Sequence, residues 1–178
     1  MSPTGVLAAM AVKALRNPRW GVKAIVQYLV IKQSGLFDGE WYRTSVGRPG
    51  LRRPLVHYVA TGASAPGDPC QDFDSAYYVG QRHYVKEVLD RWDITPLYHY
   101  LVYGVREHLR PSPGFDTGYY LWANTDVASS GINPLLHYIQ FGRAEARTPV
   151  SGEGQSSAHR SRAQHTSSIR LIRWIWRT

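Results

Sequence analysis

Three histidines, three aspartates and three aromatic pairs recur along this chain in one fixed order. Phe37-Asp38…Trp41-Tyr42 is followed by Pro54-Leu55-Val56-His57-Tyr58 and then Gly62. The order returns as Phe73-Asp74…Tyr77-Tyr78, Pro96-Leu97-Tyr98-His99-Tyr100, Gly104. It appears again as Phe115-Asp116…Tyr119-Tyr120, Pro134-Leu135-Leu136-His137-Tyr138, Gly142. Histidine and aspartate are the residues of general acid–base catalysis and of zinc ligation, so both chemistries need weighing. Each histidine, however, belongs to its own copy of a repeat of roughly 40 residues, the length of a small stacking unit. Stacked copies set equivalent side chains one repeat apart, too far to share an ion at the roughly 2 Å distances zinc requires. A histidine held through one ring nitrogen inside its own unit is the simpler reading, as helix capping is for the aspartates. No Ser-His-Asp order, His-Glu-x-x-His motif or phosphate-binding glycine loop is present. The expectation is a chain with no catalytic residue, no metal ligand and no cofactor.

The elements that position these residues are helices. Asp38, Asp74 and Asp116 stand as N-caps, with Phe at N′ and the second aromatic at N4, the positions of a hydrophobic staple. The second helix of each copy starts at Pro. Thr95-Pro96 and Asn133-Pro134 are good cap pairs, and Arg53-Pro54 is a poorer one. Gly62, Gly104 and Gly142 then fall where a left-handed residue ends a helix of about two turns. Phe to Pro takes 17, 23 and 19 residues in the three copies. The excess in the second, around Lys86–Asp93, predicts a longer first helix. Val46-Gly47-Arg48-Pro49-Gly50 makes the first copy the least regular.

Upstream, Ser2-Pro3 opens a helix carrying Leu7, Met10, Ala11, Ala14 and Leu15. Asn17-Pro18 opens another, with Val22, Ile25, Val26, Leu29 and Val30 as its apolar stripe. Packed as a hairpin, the two would seal the exposed end of the first copy; a membrane-surface helix is the other reading. The predicted organisation is all-α: an N-terminal helical hairpin over 1–33, then three imperfect helix-pair repeats over 34–149. The copies divide as 34–69, 70–111 and 112–149. Residues 150–178 read as a disordered linker ending in a short basic amphipathic segment.

The formal charge of +8 sits at the ends. Residues 1–33 hold five basic side chains and no acid, and 151–178 hold five against Glu153, which leaves the repeats almost neutral. Nucleic acid is therefore not an expected partner of the array, because counterion release needs a basic surface. One cysteine, Cys70, fits a reducing compartment, and no apolar run reaches membrane-spanning length. The expected location is cytoplasmic, with peripheral attachment to the inner membrane face as its extension. In the tail, Arg170, Arg173 and Arg177 share one helical face beside Trp174 and Trp176, the pattern of a cationic interfacial helix on an anionic membrane. A tail folded back on the array is the alternative. Most tyrosines serve the recurring framework. Tyr84, Trp92, Tyr103 and Trp122 do not, and mark an exposed surface for glycan or partner.

The third copy reads Phe115-Asp116-Thr-Gly-Tyr119-Tyr120-Leu121, Asn124-Thr-Asp126-Val127-Ala128, Asn133-Pro134-Leu135-Leu136-His137-Tyr138, then Gly142-Arg-Ala-Glu145-Ala146-Arg147. It resembles a repeat of bacterial proteins with Phe-Asp-x-x-Tyr-Tyr-Leu, Asn-Pro-Asp-Val-Ala, Asn-Pro-Leu-x-His-Tyr and Gly-x-x-Glu-Gly-Arg. Ala146 replaces the second Gly of the closing element, Gly104-Val-Arg-Glu107-His108-Leu-Arg110 keeps less of it, and the first copy loses it. Such repeats flank glycosyltransferases of surface-polysaccharide synthesis, including proteins similar to rhamnan synthesis factors. The resemblance spans about residues 34–149. It implies a non-catalytic interaction module whose partner is a glycosyltransferase or other polysaccharide-assembly protein. A glycan-binding module using exposed Tyr and Trp, or a remnant of a larger transferase, are the alternatives.

Overall fold

A computed structural model describes residues 18–151 apart from Pro66. It is all-α: nine α-helices and no strand occur among the described residues. The first helix predicted around Leu7–Leu15 and the tail residues Arg170, Arg173, Trp174, Trp176 and Arg177 lie outside them.

Each copy starts as predicted and for the predicted reason. Helices α2 (Gly39–Ser45), α4 (Ser75–Gly80) and α7 (Thr117–Ala123) open on aspartate caps. Asp38 accepts from the N–H of Glu40 and Trp41, Asp74 from Tyr77, and Asp116 from Tyr119, at 2.8–3.0 Å. The staples close beside them: Phe37–Tyr42, Phe73–Tyr78 and Phe115–Tyr120 have ring centroids 5.3, 5.2 and 5.0 Å apart. The second aromatic of each pair, a tyrosine in every copy, and the tyrosine after each histidine then meet edge-on, and all but Tyr138 of these six are fully buried.

The copies are not simple helix pairs. In the second, the residues read as a longer first helix form a separate helix, α5 (His83–Trp92), after a break at Gln81-Arg82. In the third, α8 (Thr125–Ser130) follows α7 across Asn124, whose φ of −126° interrupts the helix. The first copy has a loop instead. Gly47 takes φ +64°, and Arg43 Nε donates to the carbonyl of Leu51 at 2.7 Å to tie the loop back.

The second helices are α3 (Pro54–Thr61), α6 (Pro96–His99) and α9 (Pro134–His137). The Thr95 hydroxyl and the Asn133 carboxamide cap α6 and α9, whereas Arg53 caps nothing. Gly104 and Gly142 correct the sequence reading: neither has a positive φ. The chain passes through them in π-helical turns, Tyr100–Gly104 and Tyr138–Gly142, and the helical turns end later, at His108 and Ala146 (both φ +53°). There the N–H of Leu109 reaches the carbonyl of Gly104, and that of Arg147 reaches Gly142, both at 2.8 Å, the long bond of a Schellman ending. Glycine is needed at 104 and 142 for space, because a Cβ would strike the hydroxyl of Tyr78 or Tyr120. Gly62 does have positive φ (+56°), and its missing Cβ makes room for the carboxylate of Asp93.

Helix α1 (Pro18–Ser34) also departs from expectation. It packs on α3 and α6, bridging the first two copies, and does not simply cover the end of the first. Its buried face is Trp20, Ala24, Gln27 and Ile31, while Val22, Ile25, Val26 and Leu29 are exposed and Val30 is half-buried. The reason is polar. The Trp20 indole donates to the Asp93 carboxylate at 2.8 Å, and the Gln27 carboxamide donates to the Asp93 carbonyl and accepts from the N–H of Thr95. Turning the helix to bury the other stripe would leave these interior groups unpaired, at roughly 1–3 kcal/mol each.

Candidate functional site

The recurring polar residues are absorbed by the framework. Tyr42, Tyr78 and Tyr120 place their hydroxyls 2.9, 2.7 and 3.0 Å from Nδ1 of His57, His99 and His137. At His57 the tautomer follows from the partners. Arg48 can only donate to Nε2, at 3.2 Å, so Nδ1 carries the proton and donates to Tyr42. Burial pushes His99 down to about 4, and burial with the nearby Arg48 charge lowers His57, so both are neutral near pH 7. Among the described residues no group of three His, Cys, Asp or Glu converges as a metal site. Cys70 is buried, and burial pushes its thiol up to about 12, far from a reactive thiolate.

Asp72-Phe73-Asp74 is an Asp-x-Asp spacing that sequence reading passed over. Here the pair is divided: Asp72 forms an ion pair with Arg143 of the third copy, and Asp74 caps α4. A second signal was also missed. Pro69, Pro111 and Pro149 accept from the N–H of Asp38, Asp74 and Asp116 at 2.8–2.9 Å, so each copy's end is bound to its own beginning. Pro69 and Pro111 each stand four residues before a repeat Phe, a spacing visible in the chain.

The second copy departs from this scheme, and a cleft lies where it does so. In the third copy Arg147 binds Asp126 (2.8 Å), Asn124 (2.9 Å) and Glu145 (2.5 Å), tying α8 to the closing turn. Its hydrogen bond holds the Asp126 carboxyl down at about 2. Counting from Gly104 and Gly142, the second copy puts Leu109 where Arg147 stands, and Leu109 is buried. Glu107, the counterpart of Glu145, has lost that arginine and accepts instead from the Tyr84 hydroxyl.

Helix α5 turns Val85 and Leu89 inward and leaves Tyr84, Val88 and Trp92 beside a cleft. The other walls are Lys23 of α1, then Ile94, Tyr98, His99, Tyr103 and Glu107. Lys23 Nζ lies 4.8 Å from the Trp92 ring centre, and the Tyr103 and His99 rings are 5.4 Å apart. Burial, and then the Glu107 carboxylate, raise the Tyr84 phenol above its ordinary range, so it stays a neutral donor. The arrangement offers aromatic walls, one carboxylate acceptor and one ammonium donor. The enclosed volume is about 30 Å³, close to that of one water, so these groups form a shallow aromatic surface and not a deep pocket.

Of the four aromatics singled out by sequence, Tyr84, Trp92 and Tyr103 converge here. Trp122 does not; it lies on α7, 5.9 Å from the Tyr119 ring. Lys23 and Glu107 were missed, although the Leu109 substitution beside Glu107 was readable as a break in the closing element. No family model, curated protein or solved structure matches this chain.

Proposed function

We propose that this chain is a non-catalytic interaction module that works beside glycosyltransferases in bacterial surface-polysaccharide biosynthesis, at the inner membrane face. The polysaccharide context rests on the sequence resemblance of the repeats. The observation that carries the binding role is the cleft of the second copy. Where the chain keeps the repeat pattern, its recurring aspartates, histidines and paired tyrosines serve in caps, staples and buried hydrogen bonds. Where it breaks the pattern, at Leu109 and in α5, an aromatic cleft with Glu107 and Lys23 results. Local departures from an otherwise consistent framework are where function is expected.

In this reading a glycosyltransferase or other polysaccharide-assembly protein is the partner. Affinity capture of the full-length protein from detergent-solubilised native membranes, with identification of what is retained, tests it. Retention of glycosyltransferases that is lost in the Trp92→Ala variant is the expected result. Turnover of a nucleotide-sugar donor by the purified chain alone would overturn it.

The convergence of Tyr84, Trp92 and Tyr103 favours a second reading, that the cleft holds the glycan itself. Oligosaccharide titration followed by tryptophan fluorescence separates the two. A saturable change absent from Trp92→Phe supports a glycan site; no change at millimolar sugar leaves the protein partner.

A further inference from the structure

Helix α1 has two apolar faces. One is used inside, through Trp20, Ala24 and Ile31. The other, Val22, Ile25, Val26 and Leu29 at i, i+3, i+4 and i+7, stands 60%, 62%, 36% and 47% exposed along one side of the helix. Four aliphatic side chains in a continuous helical row are unlike the single exposed apolar residues normal on a surface. The charges of the helix decide what suits this row. Arg19, Lys23 and Lys32 are its charged residues, and no Asp or Glu occurs in Pro18–Ser34. At 100° per residue Lys32 falls on one flank of the row, and it is exposed.

We propose that this outer face of α1 seats in the surface of an anionic lipid bilayer. An exposed aliphatic row on a helix whose charged residues are all cations, with Lys32 at its flank, is the arrangement of a helix lying in the membrane plane, its apolar face in the headgroup–acyl boundary. The helix spans about 25 Å at 1.5 Å per residue, long enough to lie flat with its inner face still on α3 and α6. Four aliphatic side chains bind weakly, so attraction to anionic headgroups supplies the rest, and binding falls with salt. The inference does not depend on the glycosyltransferase reading.

The test is cosedimentation of the full-length protein with phosphatidylcholine vesicles, with and without added phosphatidylglycerol, at low and high salt. Binding at least tenfold stronger to the anionic vesicles, and reversed by salt, is expected. The double variant Ile25→Glu/Leu29→Glu should lose tenfold or more with its melting temperature unchanged, because both positions are exposed. A second protein lacking residues 168–178 controls for the basic tail and should retain the α1-dependent binding. The proposal fails if the double variant binds vesicles as the parent does. It fails equally if the variant melts several degrees lower or converts a dimer to a monomer by light scattering, since the row is then covered by protein.

Discussion

The Tyr78 hydroxyl lies 2.7 Å from Nδ1 of His99, and the backbone of Gly104 closes over that hydroxyl so tightly that no Cβ fits. Tyr120, His137 and Gly142 repeat the arrangement. One oxygen thus joins three motif positions that stand far apart in each copy. Replacing Gly104 with Ala should cost about 1–3 kcal/mol through overpacking, although the same change ordinarily favours a helix. Tyr78→Phe should cost a similar amount by leaving a buried ring nitrogen unpaired. Combined, the two should cost about 1 kcal/mol less than their sum, since the phenyl ring no longer carries the colliding atom. Urea midpoints give all three values, and strict additivity would reject the collision.

Acid should unfold the protein partly through His99. Unfolded, this ring takes a proton near 6.5; folded, burial holds it off until about pH 4. Between these values the unfolded chain binds more protons, so stability rises with pH. The contribution is complete above about 6.5 and is lost as pH falls to about 4, amounting to roughly 3 kcal/mol. His99→Asn, which keeps an acceptor for Tyr78 but does not titrate, should show a flatter profile in urea denaturation between pH 7 and pH 4. Equal acid sensitivity in the two proteins would remove His99 from the account.

Ala146 occupies a left-handed conformation at φ +53°. A Cβ there costs roughly 1–2 kcal/mol that glycine avoids. Ala146→Gly should therefore raise stability by about 1 kcal/mol, which thermal unfolding detects. Ala144→Gly, two residues earlier at a position without positive φ, should lower it, because glycine there only adds entropy to the unfolded chain.

Asp116 both caps α7 and lies 3.9 Å from Arg110 Nε. Removing the carboxylate in Asp116→Ala should cost about 1 kcal/mol. Asp116→Asn keeps a capping oxygen but no charge, and should cost only a few tenths. If Asn proves as harmful as Ala, the ion pair matters and the cap does not.

The local devices of each copy were legible. Aspartate caps, Phe–Tyr staples, Pro starts and histidines held inside their own copy each join residues within about 25 positions and carry their chemistry in residue type, although His57 uses both ring nitrogens where one was expected. Gly104 and Gly142 were read as turn formers because glycine has two uses, positive φ and close approach. Spacing along the chain does not separate them; the Tyr78 and Tyr120 hydroxyls do. Likewise α5 read as an extension of its neighbour, since its apolar rhythm continues through the break.

By itself the sequence determined the all-α class, the three-copy plan and the aspartate caps and Phe–Tyr staples that repeat with it, because these depend on neighbours along the chain. Tertiary structure decided which face of α1 is inside, since two apolar rows on one helix have the same period. The choice was made by Gln27 and Trp20 meeting Asp93 across 66 and 73 residues. It also decided where the cleft lies. Lys23, Trp92 and Glu107 come from three separate elements, and only packing brings them to one place.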